Sequence, residues 1–200
     1  MNKQQANNKR IAKNTLLLYF RMLFLMVISL YTSRVVLLAL GVDNFGIYKV
    51  VGGLVAMFSM LSGSLSAAIS RFITYELGTG NKEKLEKIFS SAVTIQFFLG
   101  AVIVLLAETV GVWFLNAKMV IPVDRMVAPN WVLQFSILTF VVNLISVPYN
   151  AAIIAHERMS AFAYISIVEA IGKLAIAYLI QITPFDVLIF YSILQAAIAF

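Results

Sequence analysis

Residues 14–40 read NTLLLYFRMLFLMVISLYTSRVVLLAL, and 41–48 continue GVDNFGIY. The first run exceeds the roughly 20 apolar residues that cross a bilayer, and it carries Arg21 and Arg34. A charge at the centre of a membrane helix costs at least about 2.5 kcal/mol, so such arginines face a protein interior or a water-filled cavity, or reach back to the headgroups. With the span starting at residue 15, Arg21 lies about 9 Å inside the inner boundary, and Arg34 about 20 Å further along. Thirteen steps of 100° set their side chains about 140° apart around the helix, so a straight helix cannot aim both at one cavity. Arg21 is expected either to line a cavity or to snorkel. Arg34 is expected near the opposite interface, with the same two readings open. Gly41 and Gly46 bracket a turn into a second apolar run.

Composition places this pattern in its class. Of 200 residues, 62% are hydrophobic and 12% charged, with a mean hydropathy of +0.93; soluble domains are about half apolar and a quarter charged. The apolar residues gather in runs of about twenty rather than the ten-residue alternating segments of a barrel, which predicts an all-α membrane protein. The net charge of +6 fits Lys and Arg collecting in cytoplasmic loops. No basic face with a stacking platform accompanies it, so no nucleic-acid partner is expected. There is no cysteine, and His156 is the lone histidine. Disulfides, thiolate chemistry and His-pair metal sites are thereby excluded within these residues, and no metal or other cofactor is expected. The basic N-terminus (Lys3, Lys9, Arg10, Lys13) precedes a long apolar run without a small-residue cleavage site, which predicts an uncleaved first span.

The expected spans are about six: 15–40, 45–70, 90–115, 130–155, 162–180 and 185–200. Lys49, near the outer end of the second, reads as an interfacial snorkeller. Ala56, Ser59, Gly63, Ser66, Ala67 and Ser70 make a small-residue stripe, read first as helix packing. Between spans two and three, Gly78, Gly80 and Asn81 mark a turn, and KEKLEK at 82–87 reads as a solvated charged helix. Glu108 and Trp113 suit the outer interface. Pro122, Asp124 and Pro129 fall in the next loop, and Pro148 and Asn150 are expected to break the fourth helix, either as a bend towards a cavity or as a packing kink. Glu169 and Lys173 sit four residues apart at mid-depth, in the order that favours a helical ion pair. Such a pair faces the bundle interior, either as a self-neutralised structural element or as a coupling or substrate-binding one. Span six opens after Thr183 and Pro184; sixteen residues from Phe185 give about 24 Å, short of a core of about 30 Å, so the chain is expected to stop inside a helix. The basic residues Lys3, Lys9, Arg10, Lys13, Arg71, Lys82, Lys84, Lys87 and Arg158 collect on one side, against Lys118 and Arg125 on the other. This predicts a cytoplasmic N-terminus.

The segments KNT (13–15), YFRM (19–22), SLYTSRVV (29–36), LGVDNFGIY (40–48), RFITYELG (71–78), VPYNA (147–151) and IAHERM (154–159), in that order, resemble the bacterial polysaccharide and O-antigen flippases. These belong to the multidrug/oligosaccharidyl-lipid/polysaccharide exporter superfamily. The resemblance implies a two-lobe exporter of which residues 1–200 form the N-terminal lobe, cut within its sixth helix, with a C-terminal lobe missing. It implies no enzyme activity, a place in the bacterial cytoplasmic membrane, and membrane lipids and a polyprenyl-diphosphate-linked oligosaccharide as partners. It also implies alternating access between the lobes and a substrate cavity with cationic residues, for which Arg21, Arg34 and Arg71 are the candidates. The coupling ion, H⁺ or Na⁺, stays open. A small-molecule antiporter of the same superfamily is the alternative, and a membrane-embedded glycan-modifying transferase is the reading from another class. The latter needs an acid–base constellation, and the acids here sit among lysines without a paired-carboxylate motif.

Overall fold

A computed structural model describes residues 3–119, 125–183 and 186–199. Pro122, Asp124, Pro184, Phe185 and Phe200 lie outside the described residues. As expected, the protein is all-α, with no strand among the described residues. Four helical stretches are long and apolar enough to cross a membrane: Ala12–Ala56, Lys82–Ala117, Val127–Ala155 and Met159–Leu179.

Helix α1 (Lys3–Ala56) departs from helical geometry at Gly41, with φ 75° and ψ 167°. That backbone conformation costs an L-residue steric strain and suits glycine. The loop expected over residues 41–46 is therefore a single-residue reversal, with helix on both sides. The reversal follows from what the two arms touch. A straight helix would hold Lys49 about 42 Å from Arg21, yet both line one cavity of about 370 Å³. The first arm runs alongside α6 (Met159–Leu179) in the same direction: Arg21 meets Phe162, and the hydroxyls of Tyr31 and Tyr178 are 2.7 Å apart. The second arm runs alongside α5 (Val127–Ala155): Arg125 donates to Asn44 Oδ1 at 2.7 Å, and Phe58 packs near Phe140.

The expected second span is interrupted at Met57–Phe58, and helix α2 (Ser59–Thr79) carries the remainder. Gly80, at φ 73°, ends α2 with its N–H bonded to Glu76 O, a left-handed cap of the usual glycine kind. Asn81 then starts α3 (Lys82–Leu106) by accepting from the Lys84 backbone N–H at 3.0 Å. The charged segment at 82–87 and the third span are thus one helix, continued through a π-turn (Ala107–Gly111) into α4 (Val112–Ala117).

Helix α5 packs against α1, α2, α3 and α7 (Val187–Ala199). Its Leu133, Leu144 and Val132 join Val51, Leu115 and Leu188 in the buried core. Pro148 and Asn150 do not interrupt the helix: α5 continues to Ala155 with Pro148 inside it and fully buried. One proline removes one backbone donor, and burial among neighbouring helices sustains the helix around it. Gly172 lets α6 and α7 approach closely, since a Cβ there would stand 2.7 Å from Ile198 Cδ1. The small-residue stripe is a different matter: Gly63 has nothing within 4 Å of its Cβ position.

Candidate functional site

The cavity of about 370 Å³ lies between both arms of α1, α6 and α7. Helical period selects its walls. From the first arm come Arg21, Leu25, Ile28, Ser29, Thr32 and Val36, spaced by three and four residues along one face. Phe45, Tyr48 and Lys49 follow from the second arm, Ser166, Glu169 and Lys173 from α6, and Tyr191 and Gln195 from α7.

Its charge is unbalanced. Arg21, Lys49 and Lys173 stand against one carboxylate, Glu169. Lys173 Nζ and Glu169 Oε1 are 2.5 Å apart, the i,i+4 pair expected from the sequence. Their side chains are 43% and 44% exposed, so packing locks neither of them and the pair can exchange partners. Arg21 is held differently. Its guanidinium carbon lies 4.3 Å from the centre of the Phe162 ring, and its Nε is shielded from solvent without a hydrogen-bond partner. Thr32 is buried, and its Oγ1 also lacks a partner. Polar atoms left in that state cost about 1–3 kcal/mol each.

The structure separates the candidates named from sequence. Arg21, Glu169 and Lys173 come together in this cavity. Arg34 is exposed and lines neither this cavity nor its neighbour, as its 140° offset from Arg21 requires. Arg71 is likewise exposed and lines neither, nor do Pro148 and Asn150. Lys49, expected near the outer end of its span, also lines the cavity, with its ammonium 5.2 Å from the Phe45 ring centre. Its sequence neighbourhood gives the i,i+4 link to Phe45, but only the reversal at Gly41 brings it to the cavity that Arg21 also lines.

A second cavity, of about 250 Å³, shares Tyr48 and Gln195 with the first. Helix α5 contributes Phe135, Ser136, Thr139 and Asn143 to it. The Tyr48 and Tyr191 rings meet edge to face at 4.8 Å beside the boundary. Ala56 and Ser59 of the small-residue stripe also line this cavity, so part of that stripe borders open space.

Two further polar groups are accounted for locally. Glu108 Oε2, in the π-turn, accepts from Gln134 Nε2 at 3.0 Å, a contact that sequence reading missed. His156 Nδ1 lies 2.8 Å from Ala152 O at the end of α5. Among the described residues no group of three or more His, Asp or Glu is placed to hold a metal. Comparison with family models, curated proteins and solved structures finds no match for the chain.

Proposed function

We propose that this chain is part of a bacterial cytoplasmic-membrane flippase that moves a polyprenyl-diphosphate-linked oligosaccharide across the bilayer, for surface polysaccharide biosynthesis. The observation that carries this reading is the cationic excess of a cavity inside an all-α membrane protein, lined by Arg21, Lys49 and Lys173 against the single carboxylate of Glu169. A diphosphate headgroup is anionic and rich in acceptor oxygens, and arginine binds such oxygens through charge-assisted, planar hydrogen bonds. Arg21 would engage the diphosphate, Lys49 would add a second cation, and Lys173 would exchange Glu169 for phosphate oxygen. The prenyl chain would stay in the lipid while a second lobe completed the pathway and rocked against this one. The family resemblance of the motifs along the chain supports the same reading.

The small-molecule antiporter alternative fares less well for organic cations, which this cavity would repel, and a glycan-export complementation assay set beside a drug-efflux assay separates the two. The direct test is a flipping assay on the full-length protein in liposomes. Arg21→Ala is expected to lower the rate at least tenfold at equal protein level, and Arg34→Ala to leave it within about twofold, a tenfold change being about 1.4 kcal/mol of transition-state binding. Normal transport by Arg21→Ala at normal expression would remove the headgroup role.

A further inference from the structure

The two cavities that meet at Tyr48 and Gln195 differ in chemistry. The first is cationic. Among the described residues the second is lined by no charged side chain at all. In its place α5 presents Ser136, Thr139 and Asn143 at i, i+3 and i+7, one face of the helix, between Phe135 and Phe140.

These groups are not occupied in joining helices. Thr139 donates to Phe135 O at 2.7 Å within its own helix, which leaves its oxygen lone pairs for an incoming donor. Asn143 is exposed and makes no hydrogen bond among the described residues, so its amide offers two donors and an acceptor. A face that served only as packing glue would spend these groups on a neighbouring helix.

We infer that the second cavity is a sugar subsite, which takes the saccharide nearest the diphosphate while the first cavity holds the diphosphate itself. A pyranose is neutral, carries hydroxyls that both donate and accept around its rim, and has C–H-rich faces. Amides and hydroxyls match the rim, and the Phe135 ring matches a face. The volume of about 250 Å³ equals that of about eight liquid waters at roughly 30 Å³ each, a space on the scale of one sugar ring. Tyr48 and Gln195, lining both cavities, sit where the sugar–phosphate linkage would pass. Asn143 is the principal specificity residue, because it alone of the α5 set has a full amide to offer. The inference rests on the anionic-headgroup reading of the first cavity.

The test measures binding to the full-length protein in lipid nanodiscs with two probes. One is polyprenyl diphosphate without sugar, and the other is the same lipid carrying a neutral oligosaccharide. Asn143→Ala is expected to weaken the glycosylated probe about three- to tenfold, the worth of one or two neutral hydrogen bonds, and to leave the bare probe within twofold. Arg21→Gln is expected to weaken both. Should Asn143→Ala melt at a lower temperature than the parent protein, Ser136→Ala supplies the same comparison. If the pocket variants shift both probes equally or neither, or the parent protein binds the two probes alike, the subsite is lost while the headgroup site stands. If the parent protein binds neither probe, the headgroup reading fails and the subsite falls with it.

Discussion

Arg21 takes its position from an aromatic ring rather than from a counter-ion. The face of Phe162 lies 4.3 Å from its guanidinium carbon, worth about 0.5–2 kcal/mol depending on desolvation. Phe162→Leu keeps the apolar volume and removes the quadrupole. It is expected to weaken binding of an anionic headgroup about two- to tenfold, as measured with the diphosphate probe, without the full loss seen for Arg21→Ala. Glu169 acts in the opposite sense. It is the cavity's single carboxylate among the described lining residues, so Glu169→Gln releases Lys173 and removes a repulsion. Anion affinity should then rise about two- to fivefold at low salt and fall back as ionic strength increases, since an exposed charge contributes about 1 kcal/mol at 4 Å in water. An affinity that fell on Glu169→Gln would place the carboxylate among the groups that hold the ligand site open. At this scale the sequence is informative about charges on one helix: the phase of Arg21 and Arg34, and the spacing of Glu169 and Lys173, are local quantities. Lys49 escaped because its partners lie across a reversal whose register no local pattern encodes.

The elements show where helical propensity governs and where geometry overrides it. Gly41 and Gly46 look alike in sequence, yet only Gly41 has a positive φ, and both have open space around a would-be Cβ. Gly41→Ala is therefore expected to destabilise by about 1–2 kcal/mol through backbone strain alone. Gly46→Ala, in a helical conformation, is expected to be neutral or to stabilise by up to about 1 kcal/mol. Thermal unfolding in detergent compares them, and a similar loss for both would refute the single-residue turn. The π-turn at Ala107–Gly111 had no sequence signature beyond an acid in an apolar run. It is a one-residue excess in the helical ladder, of the kind that recurs at functional sites, and the Gln134 amide reaches Glu108 across it. Pro148 sits at a buried position inside a continuous helix, so the donor it removes does not end the element. Local rules marked the turn at Gly78, Gly80 and Asn81, and the structure shows Gly80 and Asn81 as the caps on its two sides; both act within a few residues of chain.

For the molecule as a whole, class and hydrophobic extent were legible from composition and run length, whereas the arrangement of walls around the cavity was not. That arrangement depends on α1 folding back so that one arm follows α6 and the other α5. The contact of Arg125 with Asn44 marks this docking. The chain contains no cysteine, so Asn44→Cys with Arg125→Cys introduces the only thiols within these residues. A short bifunctional maleimide should link them in the folded protein, detected as a cleavage-resistant band after proteolysis between the two positions; separate fragments would contradict the fold. The same reversal has a consequence for how this protein tolerates change in length. Surface connections ordinarily accept insertions, but here the connection is one residue between two helical arms. A single residue inserted between Gly41 and Phe45 would turn everything after it by about 100°, swinging Lys49 and Tyr48 away from the cavity together. Substitutions along these arms act one side chain at a time, whereas an insertion would re-phase a whole wall, making the chain length between Arg21 and Lys49 as strict a requirement as the identity of either charge.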